Sequence, residues 1–209
     1  FDMLIGDWNK IPENWYWIPT LKGDSTVYIP QSLDRSHAFS KVDGVFFKEL
    51  LGMLGLNFIT DYKSELKDVK KFNKLAFPLD IALTQNCSQK DWFDQAEILK
   101  YQLTNDVINQ AFSLLPVERH DEETNKIKRN LIERKNKLSE IALEYYLKMQ
   151  KTPVITGSAQ SEKIVVEQGA DKELLIRIYN KTTGLLNFEK RYSPKYTKEI
   201  WLYGLGGND

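Results

Sequence analysis

The hydrophobic positions of this chain follow a helical period in the first part and an alternating period in the last. Between residues 122 and 150 apolar side chains recur at spacings of three, four and seven: Ile127, Leu131, Leu138, Ile141, Tyr145 and Met149. This spacing is typical of one face of a helix. We therefore expect the longest element of the chain here, with its basic side chains, Arg134 and Lys135 among them, on a solvated face.

Shorter helices are indicated upstream of this element. An apolar run from Val45 to Leu56 predicts a buried helix. Ser88 and Thr104 each precede a helical pattern and are residues that commonly cap a helix N-terminus. Asp91 and Asp106 then lie near the positive ends of the helix dipoles. These signals predict two more helices, beginning near residues 89 and 105.

The last part of the chain alternates with period two. Leu174, Ile176 and Ile178 fall on one face of a strand. Four such segments are separated by turn residues, and they lie at 163–167, 174–179, 185–192 and 198–203. We expect an antiparallel meander of four strands, preceded by a short strand near residues 26–30. The predicted class is α+β, with a helical region 1–152 and an antiparallel β region 160–209 divided near Pro153.

Composition limits the function classes. The 209 residues are 42% hydrophobic, enough for a sizeable core, and 29 basic side chains balance 29 acidic ones. A formal charge of zero argues against nucleic-acid binding. The sequence contains no apolar run long enough to insert into a membrane and no targeting signal. The chain begins without Met and ends in a Gly-rich stretch, so we expect a segment of a larger protein whose partners include its flanking domains.

Acidic side chains in the first 45 residues are candidates for a metal site. Asp7, Asp34 and Asp43 could gather around Mg²⁺, which prefers oxygen ligands. The alternative is that Asp7 and Asp43 cap turns beside glycines, while Asp34 forms a structural ion pair with Arg35. Both interpretations stay open at this point.

Aromatic side chains cluster in the same region. Trp8, Trp15, Tyr16 and Trp17 could form a stacking platform for a sugar or a base, or they could pack as part of a core. The sequence does not decide between these roles.

The spacing of three polar residues resembles the catalytic and metal loops of protein kinases. Asn14 follows Asn9 by five positions, and Asp34 lies further downstream. In kinases these places hold the catalytic Asp, a metal-binding Asn and a metal-binding Asp. Here the first position is an amide, which cannot accept a proton near neutral pH. The resemblance implies a kinase-C-lobe-like helical region with a degraded catalytic position at Asn9 and a remnant site at Asp7, Asn14, Asp34 and Asp43.

Nearly the whole chain also resembles a block of large Bacteroidetes envelope proteins of the metallophosphoesterase (calcineurin-like) and surface-antigen β-barrel type. The shared stretches are Phe1–Trp8, Trp15, Asp34-Arg35, Ala38-Phe39, Asp43-Gly44, Thr197–Ile200 and Leu202–Asp209. The chain departs at Asn9, Lys10 and Ile11, where Asp-Arg-His is usual, and at Ser36, where a second Asp is usual. The resemblance implies a location in the cell envelope, in the periplasm or the outer membrane.

Three functions follow as expectations. The first is a non-catalytic domain, pseudokinase-like or scaffolding, that retains at most weak Mg²⁺ or nucleotide binding. The second is the C-lobe of an active phosphotransferase whose ATP-binding lobe lies upstream. The third is an accessory domain of a calcineurin-like phosphoesterase, whose own Asp-x-His and Gly-Asn-His motifs are absent from this sequence.

Overall fold

The structure, a computed structural model, describes residues 1–42 and 44–207, and of Val45 only the backbone. The described chain has an α+β fold, as predicted. Its helices are α1 Asp2–Ile5, α2 Val45–Met53, α3 Val69–Phe72, α4 Phe77–Thr84, α5 Gln89–Gln102, α6 Asn105–Ser113, α7 Glu122–Asn136 and α8 Leu138–Met149. Its strands are β1 Trp15–Lys22, β2 Ser25–Ser32, β3 Val154–Thr156, β4 Glu162–Gln168, β5 Leu174–Asn180, β6 Leu186–Tyr192 and β7 Trp201–Tyr203.

The described chain packs as two compact units. The first comprises Phe1–Phe77 and Phe93–Ala142, and the second comprises Pro78–Trp92 and the chain from Leu143 onward. None of the helices in the described residues combines the length and apolar character that crossing a bilayer requires.

In the first unit, α1, α3 and α7 each bury apolar side chains. Leu4 of α1 and Val69 of α3 are fully buried, and Leu131 of α7 is 7% exposed. The Tyr62 hydroxyl donates to the Leu4 carbonyl at 3.0 Å. Burial of the phenol raises the pKa of Tyr62 to about 12. The short α1 is therefore held by tertiary contacts, because a helix of four residues is not stable alone.

Predicted helix starts are confirmed at two places. The Ser88 hydroxyl accepts from the Asp91 amide at 3.2 Å, and the Asp91 carboxylate accepts from the Ser88 amide at 2.7 Å. This reciprocal pair begins α5. Thr104 caps α6 by accepting from the Val107 amide at 3.2 Å.

Two helix predictions were wrong in part. The segment 122–150 forms two helices, because the Lys137 amide bonds back to the Arg134 carbonyl at 3.1 Å and ends α7. The run from Val45 was expected to be buried, but Phe46 and Met53 are 80% and 86% exposed. A short helix that is apolar on all sides can bury only one stripe, and here Leu51 occupies it.

The basic face of α7 was also expected to be solvated throughout. Arg134 and Lys135 are instead buried in the first unit. Lys135 Nζ donates to Asn105 Oδ1 at 2.7 Å, and Arg134 donates to backbone carbonyls. Long cationic side chains can be buried when acceptors surround their polar ends, and the sequence period does not show those acceptors.

The second unit contains the predicted antiparallel sheet in the order β4–β5–β6. Its core joins Ile155, Ile176, Ile178, Phe188 and Tyr192. The predicted fourth strand does not extend this sheet, and β7 pairs in parallel with β3 over three residues. The reason is local, since a turn in which Thr197 N donates to Ser193 O leads the chain away from β6. The residues between β3 and β7 form the antiparallel sheet, so the pair is not a βαβ unit.

Polar contacts secure the helices of the second unit. The Tyr145 hydroxyl donates to Asp80 Oδ2 at 2.8 Å, and burial raises the pKa of this phenol. Lys190 Nζ donates to the carbonyls of Gln85 and Cys87 at 3.0 and 2.8 Å. The sheet is thus connected to the loop between α4 and α5.

Candidate functional site

The loop that follows α1 begins at a left-handed residue. Gly6 ends α1 with φ 76°, a conformation that glycine adopts without steric cost. The Asp7 amide then donates to the Asp2 carbonyl at 3.0 Å, and the Phe39 amide donates to the Ile5 carbonyl at 2.9 Å. These bonds fix where residues 7–11 enter the first unit.

Lys10 lies at the centre of this loop. Its Nζ is 2.7 Å from Asp7 Oδ2 and donates to Ser32 Oγ at 3.1 Å and to the Asp34 carbonyl at 3.3 Å. Its side chain is 4% exposed and that of Asp7 is 1% exposed. The ammonium therefore has two hydrogen-bond acceptors, Ser32 Oγ and the Asp34 carbonyl, and a counter-charge at Asp7.

Two further charges adjoin this ion pair. Asp2 Oδ1 lies 3.5 Å from Lys10 Nζ and 3.5 Å from Arg35 Nε. The proposed alternative of an ion pair between Asp34 and Arg35 is therefore wrong, because Arg35 pairs with Asp2. Two carboxylates and two cations make the cluster neutral, which reduces the cost of its burial.

Asn9 contributes its backbone to this loop. Its amide donates to Asp7 Oδ1 at 3.1 Å, and its carbonyl accepts from Asn14 Nδ2 at 2.9 Å. Asn14 therefore uses its side-chain amide to hold the loop closed. This contact joins the Asn14 side chain to the Asn9 backbone and does not involve the Asn9 side chain, which the kinase-like spacing places in the catalytic position.

Asp34 is divided between two roles. Its carbonyl contacts Lys10, which places the β2 end beside the loop of Asn9. Its carboxylate instead accepts from the Ser36 amide at 2.7 Å and the Ser36 hydroxyl at 3.1 Å. These hydrogen bonds lower the pKa of Asp34, so the carboxylate is ionised at neutral pH.

The acids do not converge as a metal cluster within the described chain. Over residues 1–42 and 44–207, no three His, Cys, Asp or Glu side chains are grouped so that they could hold a metal ion. Asp43, the fourth candidate, lies outside the described residues. Asp7 faces Lys10 while the Asp34 carboxylate caps the turn at Ser36.

The aromatic residues have separate surroundings. The Trp8 ring packs on His37 with 4.3 Å between centroids and on Phe58 with 5.6 Å. Lys10 Nζ lies 5.4 Å from the Trp15 ring centroid, a cation–π contact. Tyr16 is exposed on the other face of β1. Packing thus accounts for Trp8, and Trp15 adds to the surroundings of the Lys10 ammonium.

Sequence reasoning missed Lys10 and Asp2. Neither the acidic pattern nor the kinase-like spacing singles out these two residues. The signal available was the pairing of Asp7 with a cation three positions later. The partners on β2 could not be found this way, because Ser32 is 22 positions from Lys10.

Comparison with family models, with curated proteins and with solved structures gave no match for this chain.

Proposed function

We propose that this chain is a non-catalytic, pseudokinase-like scaffolding domain of a larger bacterial envelope protein. The observation that carries this proposal is the buried Lys10 ammonium, which is paired with Asp7 and donates to Ser32 and to the Asp34 carbonyl. A cation that is 4% exposed and paired within the protein stabilises the loop and is not presented to a phosphate group. The polar groups of this loop hold the fold together.

The residues at the kinase-like positions support the same conclusion. Asn9 offers an amide where a proton acceptor is required, and a general base contributes about two to four orders of magnitude in rate. Asn14 donates to the Asn9 carbonyl, so it is engaged within the protein. Phosphoryl transfer depends on positioned metals and a positioned nucleophile. These contacts favour the scaffold over an active phosphotransferase.

Residual cation binding is the second candidate, and one observation favours it. The Asp34 carboxylate is ionised and its side chain is only partly buried. An ionised carboxylate is a suitable Mg²⁺ ligand. Weak Mg²⁺ or nucleotide binding at Asp34 is compatible with a scaffold that has lost turnover.

The test measures ATP binding by calorimetry and ATP turnover, each with Mg²⁺ and with Mn²⁺. The wild type is compared with Asp34→Ala, with the combined Asn9→Asp and Ser36→Asp variant, and with a control, Asp24→Ala, at the exposed β1–β2 turn. We expect no turnover by the wild type and at most weak binding that Asp34→Ala abolishes. Robust wild-type turnover that is lost in Asp34→Ala but not in Asp24→Ala would overturn the proposal. Binding seen only in the combined variant would indicate a decayed site.

A further inference from the structure

A cavity of about 480 Å³ lies in the first unit, and neither Lys10 nor Asp34 is among the residues that line it. Its apolar lining includes Leu51 of α2, Phe72 of α3 and Phe58 from the loop between them. Arg134 of α7 also lines it. Small-molecule sites in proteins have volumes of roughly 300–1,000 Å³. The cavity is therefore large enough for an organic molecule of modest size.

Arg134 is a buried cation beside this cavity. It is 2% exposed, and its Nη1 donates to the Met3 carbonyl at 2.9 Å while Nη2 donates to the Lys63 carbonyl. The guanidinium lies 4.4 Å from the Tyr62 ring centroid. Its Nε is buried without a hydrogen-bond partner, and no carboxylate in the described chain forms an ion pair with it.

Two carbonyls and one ring account for the position of Arg134 but do not neutralise its charge. A buried guanidinium usually pairs with a carboxylate or a phosphate, because carbonyl dipoles compensate a full charge only in part. Burial lowers the pKa of Arg134, in agreement with this missing counter-charge. An anion in the cavity would supply it.

The other charged side chains that line the cavity are four lysines and three acids. Asp61 pairs with Lys48 at 2.7 Å, and Asp68 caps α3 by accepting from the Lys71 amide at 2.9 Å. Within the described residues Lys63, Lys67 and Lys71 have no ion pair. The lining thus has cations in excess and two of its acids already engaged.

We propose that this cavity binds a small organic anion with an apolar body, such as an alkyl carboxylate or an alkyl phosphate ester. The anionic head would contact Arg134 and the lysines, and the apolar body would lie against Leu51, Phe58 and Phe72. This site is independent of the Lys10 loop and of Asp34.

Isothermal titration calorimetry with matched probes tests the proposal. Octyl phosphate and octanoate combine both features, inorganic phosphate has only the head, and octanol has only the chain. We expect octyl phosphate or octanoate to bind at least about tenfold more tightly than the other two probes. Of octyl phosphate and octanoate, the one that binds with higher affinity identifies the preferred head group. Equal binding of octanol, or no binding of either octyl anion, would overturn the proposal.

Variants locate the site. Lys67→Gln combined with Lys71→Gln should weaken binding about tenfold or more, whereas Lys22→Gln, on the exposed end of β1, should not change it. Arg134→Met should abolish binding, with circular dichroism showing whether it folds. If Arg134→Met does not fold, the lysine variants still decide, and unchanged affinity in them would reject this cavity as the site. Asp34→Ala should bind octyl phosphate as the wild type does, which separates this test from that of the scaffold.

Discussion

The ammonium of Lys10 and the carboxylate of Asp7 form a buried ion pair, with 2.7 Å between Nζ and Oδ2. Asp2 adjoins this pair, with its Oδ1 3.5 Å from Lys10 Nζ and 3.5 Å from Arg35 Nε. In this chain the charged groups of the loop are therefore paired with one another. Their removal should affect stability more than chemistry.

Substitution of one member of this pair should be strongly destabilising. Lys10→Met leaves the Asp7 carboxylate buried without its cation, and we expect a loss of about 3–5 kcal/mol in the free energy of unfolding. Urea unfolding followed by circular dichroism measures it. Arg129→Met is the control, because Arg129 pairs with Glu122 on an exposed surface and should cost below about 1 kcal/mol. The combined Asp7→Leu and Lys10→Met variant should cost less than the sum of its two single changes. Similar losses for Lys10→Met and Arg129→Met would contradict the structure.

Gly6 and Gly23, two of the glycines with positive φ in the first unit, should respond differently to alanine. At Gly6 the new Cβ would lie 2.5 Å from Tyr62 Cδ2, whereas at Gly23 nothing lies within 4 Å. Both glycines have positive φ, 76° and 61°, so alanine at either position should cost about 1 kcal/mol through its unfavourable backbone conformation. Gly6→Ala should cost about 1–3 kcal/mol more than Gly23→Ala, because buried Tyr62 must move. Thermal unfolding of the two variants measures the difference, and equal losses would place Tyr62 elsewhere.

Tyr62 should make stability depend on alkaline pH. Its pKa is about 12 in the fold, against about 10 in an unfolded chain. Because the pKa of Tyr62 is higher in the folded state than in the unfolded state, the phenol's contribution to the free energy of unfolding is complete below pH 10. This contribution is lost as the pH rises through 12. The total is on the order of 2 to 3 kcal/mol. We expect the stability difference between wild type and Tyr62→Phe to fall over this window.

Phenolate absorbance provides the matching measurement for Tyr62. The difference in absorbance between wild type and Tyr62→Phe should titrate near pH 12. A difference that titrates near pH 10 would show that the phenol is not buried as described.

Lys190 should stabilise the second unit. Lys190→Met removes two hydrogen bonds and leaves the carbonyls of Gln85 and Cys87 without this donor. Burial lowers the pKa of Lys190, so part of the gain is offset by the cost of burying the ammonium. We expect a net loss of about 1–2 kcal/mol, measured by urea unfolding. Lys163→Met, on the exposed side of β4, should change stability by less than about 0.5 kcal/mol. If Lys190→Met is as stable as Lys163→Met, the hydrogen bonds from Lys190 to the Gln85 and Cys87 carbonyls do not form.

The sequence by itself determined the features that depend on neighbouring residues. The start of α5 at Ser88 and Asp91 could be predicted because a capping box needs only residues three positions apart. The burial of Leu131 in α7 and of Tyr145 in α8 could each be predicted, because the helical period places apolar residues of a helix on one face. The pairing of β5 with its neighbours followed from alternation in the same way.

The tertiary structure alone decided which polar groups are buried and what they contact. Lys10 reaches Ser32 across 22 positions, and Arg134 reaches Met3 across 131. The pairing of β3 with β7 likewise joins segments separated by the whole antiparallel sheet. No local pattern encodes these contacts, because a buried cation needs acceptors from distant segments and its own neighbours in sequence do not reveal them. The pairing of Asp7 with Lys10 could therefore be found from neighbouring residues, but its burial and the contacts of Lys10 with Ser32 and Asp34 required the fold.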